Sequence, residues 1–525
     1  MSRRVVSLVS ALGLVLLLFT PAAEATPVTV PEIVKVMTLN IFYGGDEWNL
    51  RTGQWCVDPA GCPETMEHVV TTIEAADPDI VGLQEGTANE CVLADMLDWF
   101  CEPRLQLISR FPLIDPPGAD GAYALAEVTS GRFVAISNVH LPSDPYGPYW
   151  VRDGEPRSAV LDLERTTRLP AIQRQLDVLP GLANAGIPVF LTGDFNSPSH
   201  LDWTPAVDAV REEVRYPVVW PVSKALADAG FRDSYREVHP DPVAVPGFTW
   251  TPPGTLESVP DEVYDRIDWV LTQGPAETLD TELVGEVGGP DVDIERDPYP
   301  TDHRGVVSTF LVEPADPAPF AAVGARRVFV GEDLDVHVHG PGARVVLVPA
   351  GEGPSASLAS RSTGGAADVT LVFPTGAIAP GPHDALLLNG ADAVLSRSRF
   401  WLYAAGAPPS LRTTKTVYEV GDPIRVRWRA APGYRFDWMG VFSPGRGPAQ
   451  NAEDCNAGSC GNGHYLLYHY TETLIQGSAL IGPASFPGYR TWPLKVGTYE
   501  IRLLMDDGYR LLAISNSFKI VHAST

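Results

Sequence analysis

Six short runs of this chain end or break on side chains that can do chemistry. Asn40 closes VKVMTLN, Glu85 closes DIVGLQE, and His140 closes AISNVH. Asp194 and Asn196 close VFLTGDFN, Asp268 interrupts RIDWV, and Asp302 and His303 precede GVVSTFLV. Each has an ordinary explanation on its own: Asn40 as a strand-ending turn, His140 as a satisfied core histidine, Asp302 as a cap. Their joint occurrence at the edges of one sheet region points to a site. A hard divalent cation takes oxygen ligands, usually one or two carboxylates with substrate phosphate and water. Glu85 with Asn40 can supply them. Hydrolysis of a phosphate ester also needs an oriented water and a carboxylate to accept its proton, which suits Asp194 steadied by Asn196. Charge building on the phosphoryl oxygens and leaving group favours imidazoles beside the metal, here His140 and His303. Asp268 or Asp302 can orient His303.

The elements that must position these residues are short. From Pro31 to about Val312, runs such as IVKVMTLNIF, FVAISNVHL and RIDWVL have the length and β-branched content of buried strands. TMEHVVTTIEAADPD and LERTTRLPAIQRQLDVLPGLANAG suit helices, the second ending at Asn184–Gly186. EPADPAPFAAV, residues 313–323, reads as a linker. Beyond it VFVGEDLDVHV parallels VYEVGDPIRVRW. GPHDALLLNGADAVLSRSRFWL likewise parallels GTYEIRLLMDDGYRLLAISNSFKI. These are read as two tandem β-sandwich modules, 324–405 and 410–522, each closing on a hairpin around Asn389–Gly390 or Asp507–Gly508. The second is rich in aromatics, which serve core packing or a surface-ligand face.

The set TLN, LQE, SNVHL, GDFN, RIDW and TDH, in this order, resembles the endonuclease/exonuclease/phosphatase superfamily. The resemblance covers the region 26–312 only. It implies an α/β fold, a four-layer α/β sandwich of two mixed sheets with outer helices, and Mg²⁺-dependent phosphoester hydrolysis, with Mn²⁺ or Ca²⁺ as possible substitutes. It implies Asn40 and Glu85 at the metal end, with Asp302 as a second ligand or a local orienter. Asp194 activates or orients the water, Asn196 holds the phosphate or Asp194, His140 and His303 contact the phosphate, and Asp268 supports His303. ISRFPL is similar to the family's SR-aromatic-P element, which would place Arg110 near the catalytic floor. After His140, the loop LPSDPYGPYWVRDGEPR offers Tyr146, Tyr149 and Arg152 as a substrate wall, or a plain structural loop. Trp203 and Trp250 are expected near the same edge.

With 525 residues, 45% hydrophobic and 20% charged, the chain is globular and multidomain. Arg3, Arg4, the apolar run Val5 to Phe19 and Ala23-Glu24-Ala25 read as a secretory signal, residues 1–25. The run is short of the roughly 20 residues a membrane span needs. Six cysteines in an exported chain predict disulfides: Cys455–Cys460, and in favour Cys56–Cys62 with Cys91–Cys101. The formal net charge of −27 counts against nonspecific nucleic-acid binding, which rests on phosphate neutralisation. The expected function is a secreted phosphodiesterase acting on a lipid head group, polyol phosphate or cell-wall diester. The alternatives are a secreted nuclease and a non-catalytic surface-binding protein.

Overall fold

Alternation decides how the strand Glu32–Asn40 sits. Val34 and Val36 point into an apolar layer shared with Ile136, Phe190 and Phe310. Met37 and Leu39 point the other way, onto Val69 and Ile73 of the helix Pro63–Ala76. The same division on a second sheet sets Val189 and Leu191 against Ile172 and Leu179 of the helix Arg168–Asn184. Helix, sheet, sheet and helix therefore stack as four layers, the sandwich that the resemblance implied. The computed structural model describes residues 30–46, 62–252, 261–444, 465–487 and 492–522, with the strands 48–49 and 54–55. The expected signal segment and Cys56, Cys455 and Cys460 lie outside the described residues.

The first sheet has seven strands. At its centre Glu32–Asn40 runs parallel to Ile80–Gln84 and antiparallel to Gly305–Val312. In the six-stranded second sheet Val189–Asp194 runs parallel to Arg132–His140 and antiparallel to Asp268–Gln273. Register does the positioning. Asp194 is paired with His140 on one side and with Asp268 on the other, so three candidate side chains form one cross-strand row. Asn40 lies opposite Gln84 in the other sheet, next to Glu85.

Two residues back, on the same face of each strand, stands a buried polar layer. Gln84 Nε2 donates to Asn138 Oδ1 at 2.7 Å and to Thr38 Oγ1 at 3.1 Å. Thr192 Oγ1 donates to the same Asn138 oxygen at 3.0 Å. Gly82 makes room for this layer: a Cβ there would lie 2.0 Å from Thr192 Oγ1 and 2.5 Å from Asn138 Oδ1.

The stretch read as one helix from Leu163 takes in the last turn of one helix, Arg157–Thr166, and the whole of a second, Arg168–Asn184, with the break at Thr167. Pro170 falls in the first turn of the second helix, where proline is tolerated, and Pro180 is accommodated inside that helix. The second helix ends just before Gly186 at φ +85°, as the glycine predicts.

Two β-sandwiches follow. Phe320–Val323, Asp333–His339 and Asp368–Pro374 form a three-stranded sheet. It closes a common core with a five-stranded sheet that includes Gly381–Leu388 and Val394–Tyr403. The second sandwich repeats the plan. Arg327–Phe329 pairs in parallel with the last strand of the first unit, and Val417–Glu419 with the last strand of the second, Phe518–Val521. The linker expected over 313–323 is shorter than the sequence indicated. Ala315 pairs with Phe133 of the six-stranded sheet, and Phe320–Val323 is already a strand of the first sandwich. Its alternating small apolar residues are buried, which the proline content concealed.

Cys91 and Cys101 are joined as expected, across ten residues that fold the helix Glu90–Leu97 back onto the strand Phe100–Glu102. Cys62 is also disulfide-bonded.

Candidate active site

The cross-strand row converges on one atom. Asp194 Oδ2 accepts from Asn40 Nδ2 at 3.2 Å and faces His140 Nε2 and His303 Nε2, each at 3.7 Å. The other Asp194 oxygen accepts the backbone N–H of Asn196 at 2.8 Å. Asn196 takes a left-handed φ of 46° and donates its side-chain amide to Leu141 O, so it shapes the turn that holds Asp194. Asn40 is a bridge: its Nδ2 also donates to Glu85 Oε1 at 3.2 Å, while its Oδ1 accepts from Phe42 N. Glu85 Oε2 accepts from Tyr43 N at 3.0 Å.

Both imidazoles are held from behind. His303 Nδ1 lies 3.0 Å from Asp268 Oδ2. His140 Nδ1 lies 2.8 Å from Oδ2 of Asp507, a residue of the second β-sandwich. Trp250 packs its ring 4.9 Å from that of His303. Burial opposes a charge on His140, but the Asp507 hydrogen bond and charge, with Asp194 and Glu85 behind them, outweigh it and hold its pKa up at about 9. His303 goes the same way: burial opposes its charge, and Asp268, Asp194 and Asp302 raise its pKa well above the ordinary value. Burial and the Asp268 charge push Asp194 up to about 6, against the pull of the two histidines. Asp302 is pushed up to about 7 by burial and by Glu85 and Asp194, against the pull of His303.

Crowded buried carboxylates are the electrostatic condition that a cation relieves. Asp194, Asp268 and His303 offer ligand atoms all within 4.8 Å of one another and could hold a metal ion. A second set lies at the Glu85 end. Among the described residues no donor reaches the buried Asp302 Oδ1, and Glu85 and Asn40 add oxygens beside it.

The model of the Endonuclease/Exonuclease/phosphatase family matches residues 37–303, a span that runs from Met37 through this cluster to His303. The chain belongs to that family. An uncharacterized protein of Caenorhabditis elegans is 28% identical over 268 residues, covering 46% of this chain and 79% of the worm protein. Among solved structures, an endonuclease/exonuclease/phosphatase from Beutenbergia cavernae is 17% identical and covers 70% of this chain and 100% of its own, with a TM-score of 0.33. D. rerio TDP2, solved with a single-strand DNA product, is 16% identical over 53% of this chain and 98% of its own, with a TM-score of 0.32. Members of this family are generally hydrolases, of phosphoesters or nucleic acids, and commonly use divalent metals.

Within the family domain, Asn40, Glu85, His140, Asp194, Asn196, Asp268, Asp302 and His303 come together. Four expected substrate contacts do not join them. Arg110 pairs with Asp77 and Asp79 and lies over Trp99. Asp79 precedes the strand Ile80–Gln84 and Glu85 follows it, so Arg110 sits at the opposite end of the sheet. Tyr146 is buried and donates to Asp265 Oδ2. Tyr149 donates to Glu262, and Arg152 to Asp153 and to Asp261 O. These three pin the loop after His140 to residues 261–265, the structural alternative for that loop. Trp203 is buried likewise, its indole donating to Asp265.

Asp507 was missed. Its sequence signal, DDG between two strands, reads as a hairpin turn, and nothing local distinguishes a turn carboxylate from one that reaches His140.

Proposed function

We propose that this protein is an exported, divalent-metal-dependent phosphodiesterase that hydrolyses a small head-group or polyol diester by direct attack of water. One observation carries the reading. Asp194 stands between two imidazoles, each backed by a carboxylate, and within reach of a group of oxygen ligands.

The oxygens of Glu85, Asn40 and Asp302 would hold a hard cation such as Mg²⁺. When bound, that ion supplies Lewis-acid stabilisation of charge on the phosphoryl group. We favour this set over Asp194, Asp268 and His303, because a ligand role there would occupy His303 Nε2 and the Asp194 carboxylate, the two groups that face each other at 3.7 Å and that the reaction needs for the phosphoryl group and the water. The remaining chemistry belongs to the side chains. Asp194 accepts a proton from the attacking water and is oriented by Asn40 and by the Asn196 N–H. His140 and His303, held cationic, present Nε2–H donors to the phosphoryl oxygens. The 3.7 Å separations from Asp194 exceed a direct hydrogen bond, so neither Nε2–H is committed to that carboxylate.

The −27 charge and the acidic turn 506–507 beside His140 support a small diester over duplex DNA. The Cys91–Cys101 disulfide supports an oxidising compartment. Among the described residues, no helix is long and apolar enough to cross a membrane.

The test is a substrate panel of bis(p-nitrophenyl) phosphate, p-nitrophenyl phosphate, phospholipid and polyol diesters, and supercoiled plasmid. Each is assayed with Mg²⁺, Mn²⁺, Ca²⁺ or EDTA. Diester turnover that needs metal and is lost in Asp194→Ala is the expected result. Turnover that survives EDTA or the substitution overturns the reading. Plasmid nicking faster than any small diester moves the assignment to a nuclease.

A further inference from the structure

The strongest unassigned feature lies where the second β-sandwich meets the catalytic cluster. The turn between Gly497–Leu504 and Leu511–Ile514 reaches the mouth of the site. We propose that this module is a working part of the active site, and that Asp507 is the positioning carboxylate of His140. The inference rests on the phosphodiesterase reading above.

Geometry makes the two halves of the site alike. Each imidazole offers Nδ1 to a carboxylate, at 2.8 Å from Asp507 and 3.0 Å from Asp268. Each then aims Nε2 at the same Asp194 oxygen, at 3.7 Å. Asp268 comes from the strand paired with that of Asp194. His140 lies on the other flank, and among the described residues Asp507 alone bonds its Nδ1. Without that partner the ring is free to rotate or to carry its proton on Nε2 in the neutral form. With it, Nδ1–H is committed to the carboxylate and Nε2 is directed at the reacting group.

Asp507 is itself fixed. Its Oδ1 accepts from Tyr470 OH at 2.8 Å, and its N–H donates to Phe436 O at 2.9 Å. The neighbouring Asp506 accepts the N–H of Ala88, three residues past Glu85. Arg435 completes the dock: its backbone N–H donates to Arg104 O at 3.0 Å, and its guanidinium to Asn138 O at 2.5 Å. Asn138 is the residue of the polar layer two positions before His140. The module thus holds both the strand that carries His140 and the loop that follows Glu85. A mere interface ion pair would not need the carboxylate to match the dyad on the opposite flank.

The test uses the full chain with Asp507→Asn, Asp507→Ala, Asp507→Glu and Thr473→Ala. Thr473 bonds Asp120 O across the same interface without touching the site. Asparagine and alanine should lower kcat on the best diester of the panel by about 10- to 100-fold, with KM within about threefold. Glutamate should recover part of that loss, and Thr473→Ala should behave as wild type. In metal-free protein with ¹⁵N-labelled histidine, the wild-type His140 ring should show a protonated Nδ1 shielded from exchange, and Asp507→Ala should lose that signature. An unchanged kcat in Asp507→Asn, an equal loss in Thr473→Ala, or an unprotonated Nδ1 in the wild type overturns the proposal. If Asp507→Ala does not fold, the near-isosteric asparagine variant decides. If the wild type hydrolyses nothing, the functional reading fails while the ¹⁵N signature still decides the dyad.

Discussion

Asp194 Oδ2 takes the Asn40 amide on one side and faces two imidazoles on the others, so its charge state governs the site. Asp194→Ala should lower turnover by at least about 10³-fold, the upper part of the range for a lost general base. The same variant should be no less stable than wild type when metal-free, because it removes a buried carboxylate whose ionisation is unfavourable. Steady-state kinetics and thermal melts on one preparation check both. The raised pKa values have a further consequence with a definite sign. Asp194 and Asp302 sit at about 6 and about 7 in the folded state, above their ordinary value near 3.9. Their contribution is fully present below pH 4 and is lost as pH rises through 6 to 7. His140, raised to about 9 from near 6.5, adds stability at low pH that is lost as pH rises through 9. The metal-free protein should therefore lose Tm between pH 4 and 9. Added Mg²⁺ should restore more of it at pH 8 than at pH 5. A Tm gain from Mg²⁺ that does not change with pH would refute a carboxylate-based metal site.

The strands present these residues through register, and the polar layer beneath guards that register. Thr38, Asn138 and Thr192 stand two residues before Asn40, His140 and Asp194, so a slip of one position would turn both layers away. Gly82→Ala puts a methyl into that layer and should destabilise the fold by about 1–3 kcal/mol. Urea unfolding measures the cost, and a neutral result would mean that the sheets do not approach as closely as described. Strand identity was legible in the sequence because apolar runs such as IPVFLTGD are short, rich in β-branched residues and closed by turn residues. The division of the helical stretch at Thr167 was not, because Pro170 and Pro180 carry the same local signal and only the first lies at a break. The linker was misread for a related reason: Phe320–Val323 is small and apolar, and its proline-rich approach masks a strand.

Across the whole molecule, the buried Arg435 guanidinium joins the second sandwich to the family domain. Burial lowers its pKa to about 10, with the neighbouring Arg174 charge adding to the effect, so it remains a cation at neutral pH. Arg435→Ala should weaken the interface by about 2–3 kcal/mol, the worth of hydrogen bonds to a charged group. A separate early unfolding transition for the module in calorimetry is the expected sign, and a single unshifted transition would contradict it. The ties of Arg326 to Asp115 and Asp120 act at a different point, between the first sandwich and the family domain, and should be unaffected.

The sequence by itself determined the family, the four-layer plan and eight members of the polar cluster. Strand-forming runs and the residues at their ends are local properties, and their order along the chain is a pattern that a one-dimensional reading can hold. Arg110 and the loop aromatics required knowing which end of a strand faces the site and which hydroxyls are already taken, and both are properties of packing. Asp507 is 367 residues from His140. Only the docking of two domains brings such a pair to hydrogen-bond distance, and no periodicity, turn signal or spacing along the chain encodes where one folded surface will settle on another.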